Sequence, residues 1–532
     1  MDFDAFSFPS RRSNVLACRG AVATSQPLAA QVGLSVLQDG GNAVDAAIAT
    51  VAALCVVEPT STGIGGDAFA LIWSAEEGQL SGLNASGPAP AALSADAIRS
   101  QGHERFPAQG ALPVTVPGSL RGWEMALERF GSMPLSTLLE QPIYYARSGF
   151  PVSEKIAASW QRQAEKMSHH ADSRRVWLKE GRGPRPGDIF RNPEFADTLQ
   201  RIAEEGVDNF YEGDIARQIA ETVQEAGGYL TEADLAQYEA EWVEPIATHY
   251  RNGYSFHEIP PNGQGLTALI ALNIVRGFDF SEMAYSSPER VHLLIEAIKL
   301  AFADAQAYIA DPRQAEIPVE GLLSEGYAET RRALIGDQEA LEPQPGEPSR
   351  HGDTVYLSVA DDQGNMVSWI QSLYMGFGSG LTAGTTGVQL QNRGANFSLE
   401  PGHPNEAAPG KRPYHTIIPG FITRNGTPWA SFGVMGGFMQ PQGHLQVGIN
   451  LVDYGMDPQT ALDAPRFNWM RDKKVAVEDK FRPALRTALI ARGHELLPEG
   501  YYGGGQVIVR DPESGVLIAG SEPRNDGAAV GW

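Results

Sequence analysis

The chain has 532 residues, of which 42% are hydrophobic and 20% charged, a composition typical of a globular protein with a large core. Its formal net charge of −23 argues against nucleic acid and anionic membranes as partners, because both would be repelled. Two cysteines, Cys18 and Cys55, are too few for a disulfide framework, and no apolar stretch of about 18 residues predicts a membrane span.

The N-terminal segment Met1–Arg12 has no positively charged region followed by an apolar run, so we expect no secretory signal and a cytoplasmic location. Gln26–Leu37 has the pattern of a helix, and the glycines at 40–41 are suited to end it. Asn42 is then a suitable N-cap for a second helix over Ala43–Val57. This second segment is almost entirely apolar, which predicts a buried helix.

A glycine-rich segment, Thr60–Asp67, follows the buried helix. Its glycine spacing fits neither a phosphate-binding nor a dinucleotide-binding motif, so a tight buried turn is the favoured interpretation. We expect Phe69–Trp73 to continue from it as a core strand and Leu120–Phe130 to form an amphipathic helix. Residues 150–250 are mostly helical and charged in pattern.

Two further helices are predicted, over Leu266–Val275 and Val291–Ala310. His292 and Glu296 lie four residues apart on the second of these, but capping or packing is favoured over metal binding. The sequence offers no Cys-x-x-Cys, His-Glu-x-x-His or nucleophile-elbow motif in a suitable frame. We therefore expect neither a metal nor a cofactor.

A hairpin is predicted after the polar, proline-containing run Gly336–Gly352. Apolar and polar residues alternate from Thr354, turn-forming residues follow at Asp361–Asn365, and a second strand covers Met366–Ser372. This pairing brings Ser372 opposite Thr354, where the two hydroxyls can form a hydrogen bond across the ladder.

A cut between Asp353 and Thr354 would give Thr354 both a hydroxyl and a free α-amine. The pKa of such an amine is about 8, so near neutral pH it can act as a general base on the hydroxyl of its own residue. The alternative is an ordinary edge strand that begins after a loop. On the hairpin alone, the edge strand is favoured.

Six motifs favour a catalytic role for Thr354 over an ordinary edge strand. They follow one another over about 400 residues of the chain: Gly40–Ala49, Glu58–Asp67, Val116–Ser119, Phe377–Gly380, Pro409–Pro413 and Met435–Gly437. Because it contains these motifs in the family's order, the sequence resembles the γ-glutamyltransferase family of N-terminal-nucleophile hydrolases. The resemblance implies an α+β fold, a four-layer αββα sandwich. It also implies a proenzyme cut into residues 1–353 and 354–532, the large and small subunits of one compact domain, and leaves a homo-oligomer of processed heterodimers open.

The resemblance also implies catalytic roles. Thr354 matches the nucleophile, Ser372 a supporting hydroxyl on the facing strand, and Gly436 and Gly437 the two amides of an oxyanion hole. Without the resemblance, a plain turn would be the better interpretation of the glycine pair.

The substrate-binding positions depart from the family pattern. Asn396 stands where the family has the aspartate that binds the substrate amino group, Tyr374 replaces an asparagine, and His415–Thr416 replace paired serines. The segment Ala89–Ala95 lacks the arginine that binds the substrate carboxylate, and the nearest arginine is Arg99. The residues that recognise a free amino acid are therefore largely missing.

Arg393 stands where the family usually has an uncharged amide side chain. It can bind a substrate carboxylate through two hydrogen bonds or pair with a surface acid, and the sequence favours neither. We expect a small-molecule amide that bears a carboxylate, such as oxamate. The alternatives are a γ-glutamyltransferase or glutathione hydrolase, a cephalosporin acylase-like enzyme and a non-catalytic binding relative.

Overall fold

The computed structural model describes residues 12–280, 282–336, 339–342 and 353–532, apart from the side chain of Asp353. The predictions about Met1–Arg11 and about most of the polar run before Thr354 therefore fall outside the described residues. Within the described residues, no helix has the length and apolar content needed to cross a membrane.

The strands of the described residues are as follows: β1 (Val15–Ala17), β2 (Gly20–Thr24), β3 (Asp67–Ser74), β4 (Gln79–Ala85), β5 (Phe150–Pro151), β6 (Ile189–Phe190), β7 (Glu241–Val243), β8 (Ile246–His249), β9 (Tyr254–Glu258), β10 (Asp353–Asp361), β11 (Met366–Tyr374), β12 (Gly420–Arg424), β13 (Thr427–Met435), β14 (Phe467–Arg471), β15 (Lys474–Val477), β16 (Glu495–Leu497), β17 (Gly504–Arg510), β18 (Leu517–Ser521) and β19 (Ala528–Gly531).

The α-helices of the same residues are as follows: α1 (Pro27–Gln38), α2 (Ala43–Val57), α3 (Ala95–Ser100), α4 (Ser119–Phe130), α5 (Leu135–Leu138), α6 (Glu140–Ser148), α7 (Glu154–Ser168), α8 (Ala171–Trp177), α9 (Pro193–Glu205), α10 (Asp208–Glu212), α11 (Asp214–Glu225), α12 (Glu232–Ala236), α13 (Gly265–Val275), α14 (Pro288–Tyr308), α15 (Val319–Leu322), α16 (Glu325–Arg332), α17 (Met439–Val452), α18 (Pro458–Asp463) and α19 (Pro483–Ala491).

Two seven-stranded antiparallel sheets dominate the described part of the chain. Their strand orders are β1-β18-β17-β13-β12-β9-β8 and β19-β2-β10-β11-β3-β4-β7. Both sheets therefore mix strands that precede Thr354 with strands that follow it. In the second sheet, β10 pairs with β11 on one side and with β2 on the other. The edge-strand interpretation of β10 is therefore wrong, since both of its sides are paired along most of its length.

Side chains alternate between two cores along these strands. In β10, Val355 and Leu357 pack into the core under the first helices of the chain, whereas Tyr356 packs between the sheets. In β13, Phe432 packs against the helical layer formed by α13, α14 and α17, and Met435 packs between the sheets. Helices thus cover the outer face of each sheet, and the predicted four-layer αββα sandwich is confirmed.

The buried helix α2 has the predicted bounds. Its capping box joins Asn42 and Asp45, and Asp45 also accepts hydrogen bonds from Ser132 and from the Met133 N–H. The other predicted helices agree with the structure to within three residues at each end. Local patterning predicts these elements because each one is a continuous or periodic apolar run bounded by polar or glycine-containing segments.

The glycine-rich segment Thr60–Asp67 is a buried turn, as predicted. A Cβ on Gly65 would overlap the carbonyl of Gln389, and one on Gly66 would overlap the carbonyl of Ser372. Glycine is required here because these backbones approach too closely for any side chain.

Candidate active site

The hairpin of β10 and β11 brings Thr354 beside Ser372. The Thr354 hydroxyl donates a 3.3 Å hydrogen bond to the Ser372 hydroxyl, and both residues are buried. Ser372 Oγ also accepts a 2.7 Å hydrogen bond from the Tyr374 N–H. A register shift between Asp353 and Val355 places an extra residue on β11, so Thr354 lies opposite both Ser372 and Leu373.

The pairing between the sheets places the start of β10 near the end of β13. Ser358 donates to the carbonyl of Ser431 at 3.1 Å, and two residues earlier the Tyr356 ring packs against Gly433. Because residues two apart share one face of a strand, the same progression leads from Tyr356 to Thr354 and from Gly433 to Met435. Thr354 therefore lies toward the segment that carries Gly436 and Gly437.

Gly436 and Gly437 form the turn between β13 and α17. Their φ angles are +128° and +59°, a region that favours glycine. A Cβ on Gly436 would overlap the ring of Tyr501. Among the described groups, neither glycine N–H has a hydrogen-bond acceptor, so both remain available to a ligand.

Arg393 is fully buried and incompletely paired. Its Nη1 donates a 2.7 Å hydrogen bond to the hydroxyl of Thr416, and its guanidinium carbon lies 4.4 Å from the centre of the Tyr374 ring. Among the described groups, its Nε and Nη2 atoms have no hydrogen-bond partner. Burial lowers the pKa of Arg393 to about 10, and the Asp67 charge opposes this shift, so the guanidinium is charged at neutral pH.

Asp67 lies at the start of β3 with no exposed surface. One carboxylate oxygen accepts hydrogen bonds from the N–H groups of Gly87 and Gly118 and from the Gln391 side chain. Burial raises the pKa of Asp67 to about 7, although the Arg393 charge and these hydrogen bonds act in the opposite direction. Asp67 thus supplies a titratable charge close to Arg393.

His415 and Thr416 lie behind Arg393 with no exposed surface. The His415 Nε2 lies 3.0 Å from the free carboxylate oxygen of Asp67, and the Ile417 N–H lies 3.4 Å from its Nδ1. Burial, together with the charges of Arg393 and Arg412, holds the pKa of His415 well below its ordinary value. Neutral His415 therefore uses both ring nitrogens within the protein, and Thr416 is the residue of this pair that contacts Arg393.

A cavity of about 1140 Å³ adjoins these residues. Tyr374, Asn396, Tyr414 and Phe438 line one side of it, and α14 lines another. The Asn396 side chain donates to the carbonyl of Tyr414 at 3.1 Å, which fixes its amide against this wall. Phe438, which directly follows Gly437, and Tyr374 thus both line this cavity.

Other sequence candidates lie elsewhere. Arg99 forms ion pairs with Asp96 and Glu406, so its guanidinium already has acidic partners. His292, Glu296 and His494 form a buried group with spacing that suits a metal, but the ammonium of Lys299 lies 2.7 Å from Glu296. A bound cation would meet that like charge, so packing remains the better interpretation of this cluster.

Two buried polar residues near the site were not assigned a role from the sequence. Asp67 ends the glycine-rich segment Thr60–Asp67, and Gln264 directly precedes α13. The available indication was a polar residue embedded in an otherwise apolar or glycine-rich segment, since burial of such a group requires partners. Those partners come from distant segments, which sequence patterns do not reveal.

Comparisons with known proteins give matches over nearly the whole chain. A family model described as Gamma-glutamyltranspeptidase matches residues 29–532. A glutathione hydrolase-like YwrD proenzyme of Bacillus subtilis is 38% identical over 97% of this chain and 99% of its own length. An oxamate amidohydrolase proenzyme of Klebsiella pneumoniae is 34% identical over 98% of this chain and 100% of its own length.

The solved structure of a cephalosporin acylase from Bacillus halodurans is also similar. Its sequence is 50% identical, its TM-score is 0.94, and the match covers 100% of this chain and 99% of the other. The similar proteins thus carry the names of three different amide-cleaving activities.

Proposed function

The chain belongs to the gamma-glutamyltranspeptidase family, whose members act on amides as hydrolases or transferases, and we propose that it is a self-processing amidohydrolase whose nucleophile is Thr354. Cleavage before Thr354 would produce large and small subunits of residues 1–353 and 354–532. The relatives support this proposal because their names describe proenzymes. The hydrogen bond between Thr354 and Ser372 supports it as well.

The proposed reaction proceeds through an acyl-enzyme. The α-amine of Thr354 takes the hydroxyl proton while the hydroxyl oxygen attacks the amide carbon. The N–H groups of Gly436 and Gly437 would stabilise the oxyanion, a contribution of roughly 3 kcal/mol per donor. The C–N bond then breaks as the amine returns the proton to the leaving nitrogen. Water hydrolyses the ester, releases the acid and restores the hydroxyl.

We propose that the substrate is an amide whose acyl part carries a carboxylate. The observation that carries this proposal is Arg393, which is buried and charged and has two nitrogen atoms, Nε and Nη2, without a hydrogen-bond partner among the described groups. A carboxylate accepts two hydrogen bonds from such a guanidinium and also balances its charge. Asn396 is uncharged and offers no counter-ion for a substrate ammonium. Oxamate is the smallest substrate that fits this description.

The cavity favours a second candidate, a larger amide of the kind that an acylase cleaves. A volume of about 1140 Å³ is similar to that of sites that hold drug-sized molecules, and far exceeds the needs of oxamate. Both candidates share the carboxylate contact with Arg393 and differ only in what fills the cavity.

The first experiment tests processing. The intact mass of the wild-type protein is compared with those of Thr354→Ala and Thr354→Ser. We expect two fragments from the wild type, the second beginning at Thr354, and one uncut chain from Thr354→Ala. Thr354→Ser is the matched control because it keeps a hydroxyl, and it should still be cut. A wild-type chain that stays intact after prolonged incubation would support a non-catalytic binding protein.

The second experiment tests acyl recognition with three p-nitroanilides. The glutaryl compound differs from the γ-glutamyl compound only by lacking the amino group, and pentanoyl replaces the distal carboxylate of glutaryl with a methyl group. We expect kcat/KM to be highest for glutaryl, with oxamate turnover measured in parallel by ammonia release. Turnover of oxamate alone would favour the small substrate, and turnover of glutaryl alone the larger one. A preference for γ-glutamyl would instead support a γ-glutamyltransferase.

Arg393→Leu tests the carboxylate contact itself. We expect it to remove the preference for glutaryl over pentanoyl, a loss of about a hundredfold in kcat/KM for the carboxylated substrate. Arg393→Lys should lose less, because it keeps the charge but not the two-pronged geometry. Arg99→Leu is the matched control and should leave the preference unchanged. An equal loss in Arg99→Leu would move the carboxylate site to Arg99.

A further inference from the structure

Gln264 links the glycine pair to the residues around Arg393. Its amide nitrogen donates a 2.9 Å hydrogen bond to the carbonyl of Gly437 and a 2.5 Å hydrogen bond to the carbonyl of Thr416. Its amide oxygen accepts a 3.1 Å hydrogen bond from the hydroxyl of Tyr414. Gln264 has no exposed surface, so water does not compete for these contacts.

Both carbonyls belong to residues that matter for the proposed chemistry. The carbonyl and the N–H of Gly437 share one residue, so the position of the carbonyl restricts the orientation of the amide that would face the oxyanion. Thr416 carries the hydroxyl that accepts the Arg393 hydrogen bond of 2.7 Å. One side chain therefore sets the relative position of the segment that would bind the oxyanion and the segment that would bind the carboxylate.

The backbone around Gln264 adds to this coupling. The Gln264 N–H donates to the carbonyl of His415 at 2.9 Å, and the His415 N–H donates to the carbonyl of Asn262 at 2.9 Å. The segment 262–264 is thus joined to 415–416 through main chain and side chain together. A side-chain amide suits this place because it offers two donors and one acceptor in a fixed plane.

From this geometry, and resting on the proposed function, we propose that Gln264 is a positioning residue that holds the Gly436–Gly437 amides in register with the Arg393–Thr416 carboxylate site. Its loss should lower turnover and carboxylate selectivity at the same time. A residue with only a structural role would lower the amount of folded protein without changing both kinetic properties of the protein that remains.

The test uses the Gln264→Met variant with no other substitution, after cleavage before Thr354. Methionine keeps the approximate length and removes all three hydrogen bonds. We expect kcat on the pentanoyl anilide, which needs no carboxylate contact, to fall at least about tenfold. We also expect the glutaryl-to-pentanoyl ratio of kcat/KM to fall severalfold.

Gln446→Met is the matched control. Gln446 is also buried, and its side chain makes three hydrogen bonds to the backbone of Gln442 and Phe467, away from the site. The control should lose comparable thermal stability while keeping kcat and selectivity within about twofold. Similar kinetic losses in the two variants would show a general packing effect and overturn the proposal, as would unchanged kinetics in Gln264→Met.

Tyr414→Phe carries the test where Gln264→Met is not recovered folded. It removes only the hydroxyl that orients the Gln264 amide, so we expect smaller losses of the same two kinds, about threefold each. Loss of neither property would overturn the proposal. Failure of the proposed function is distinguishable, since the wild-type protein would then show no processing or no amide turnover.

Discussion

Asp67 and His415 lie 348 residues apart in the sequence and are joined by a 3.0 Å contact between side chains with no exposed surface. His415 is held neutral, and because its Nδ1 accepts the Ile417 N–H, its Nε2 hydrogen donates to the Asp67 carboxyl group. Asp67 then opposes the positive charge of Arg393 from within the protein. The carboxylate of Asp67 and that of a bound substrate would therefore compete for the same guanidinium.

This competition predicts a pH dependence of substrate binding. The pKa of Asp67 is raised to about 7, and a substrate carboxylate on Arg393 would raise it further through like-charge repulsion. Binding of the anion is thus coupled to proton uptake, so its affinity should increase as the pH falls through about 7. We expect the KM for the glutaryl anilide to fall between pH 8 and pH 6 by a factor of about 3 to 10. Steady-state kinetics across this range measure the effect.

Asp67→Asn should remove the pH dependence of that KM because the amide does not titrate. The pentanoyl anilide is the control substrate, and its KM should not change with pH in either protein. Titration of the Thr354 amine should change kcat equally for both substrates. A KM for glutaryl that rises on acidification, or keeps its pH dependence in Asp67→Asn, would contradict the coupling.

Ser372→Ala tests the hydroxyl pair. Ser372 accepts hydrogen bonds from Thr354 and from the Tyr374 N–H, so its loss frees the Thr354 hydroxyl to rotate and removes one acceptor of the Tyr374 N–H. We expect slower self-cleavage, followed by densitometry, and a decrease in kcat of about tenfold or more. Ser368→Ala is the matched control because Ser368 is buried on the same strand and contacts Tyr356 at 2.8 Å. Equal effects of the two substitutions would count against a special role for Ser372.

Gly436→Ala tests the glycine pair. An alanine there would meet the ring of Tyr501 and would also disfavour the φ of +128°. The adjacent amides should rotate away, and kcat should fall by about a hundredfold, as expected when an oxyanion donor is lost. Gly426→Ala is the control, since Gly426 has a φ of +80° with open space around its Cα. That variant should lose stability of about 1 kcal/mol without losing activity.

The elements that could be predicted are those determined by patterns among residues close together in the sequence. The bounds of α2 follow from an apolar run between a capping asparagine and a glycine-rich turn. The hairpin follows from alternation around a turn, and that alternation was enough to bring Ser372 to Thr354. The sandwich came from family resemblance rather than from periodicity.

The parts that the sequence left open depend on long-range burial. The sequence could not choose between a substrate and a surface acid as the partner of Arg393, because its burial arises from β3, β11 and the 415–416 segment together. His415 is predicted as a substrate contact, and no sequence pattern reveals that its ring nitrogens lie against Asp67 and the Ile417 N–H. Gln264 lies 173 residues from Gly437 in the sequence, and no pattern in the residues around Gln264 indicates that contact.

The buried cluster on α14 gives a prediction about stability. Glu296 and Lys299 form an ion pair of 2.7 Å with no exposed side-chain surface. Glu296 also accepts the Leu341 N–H at 2.9 Å, and Lys299 donates to the Leu341 carbonyl at 3.1 Å. The pair therefore anchors the described segment 339–342 to α14. Removal of one charge should leave the other buried without compensation.

We expect Lys299→Met to lower the free energy of unfolding by about 3 to 5 kcal/mol, measured by urea denaturation in the uncut Thr354→Ala background. Adding Glu296→Gln should restore most of this loss, because glutamine carries no charge and still accepts the Leu341 N–H. The exposed pair Asp214 and Arg217 has the same spacing on α11, and its disruption should cost less than about 1 kcal/mol. If the double variant is less stable than Lys299→Met alone, the buried charge is not the source of the loss, and the Leu341 contacts themselves must account for it.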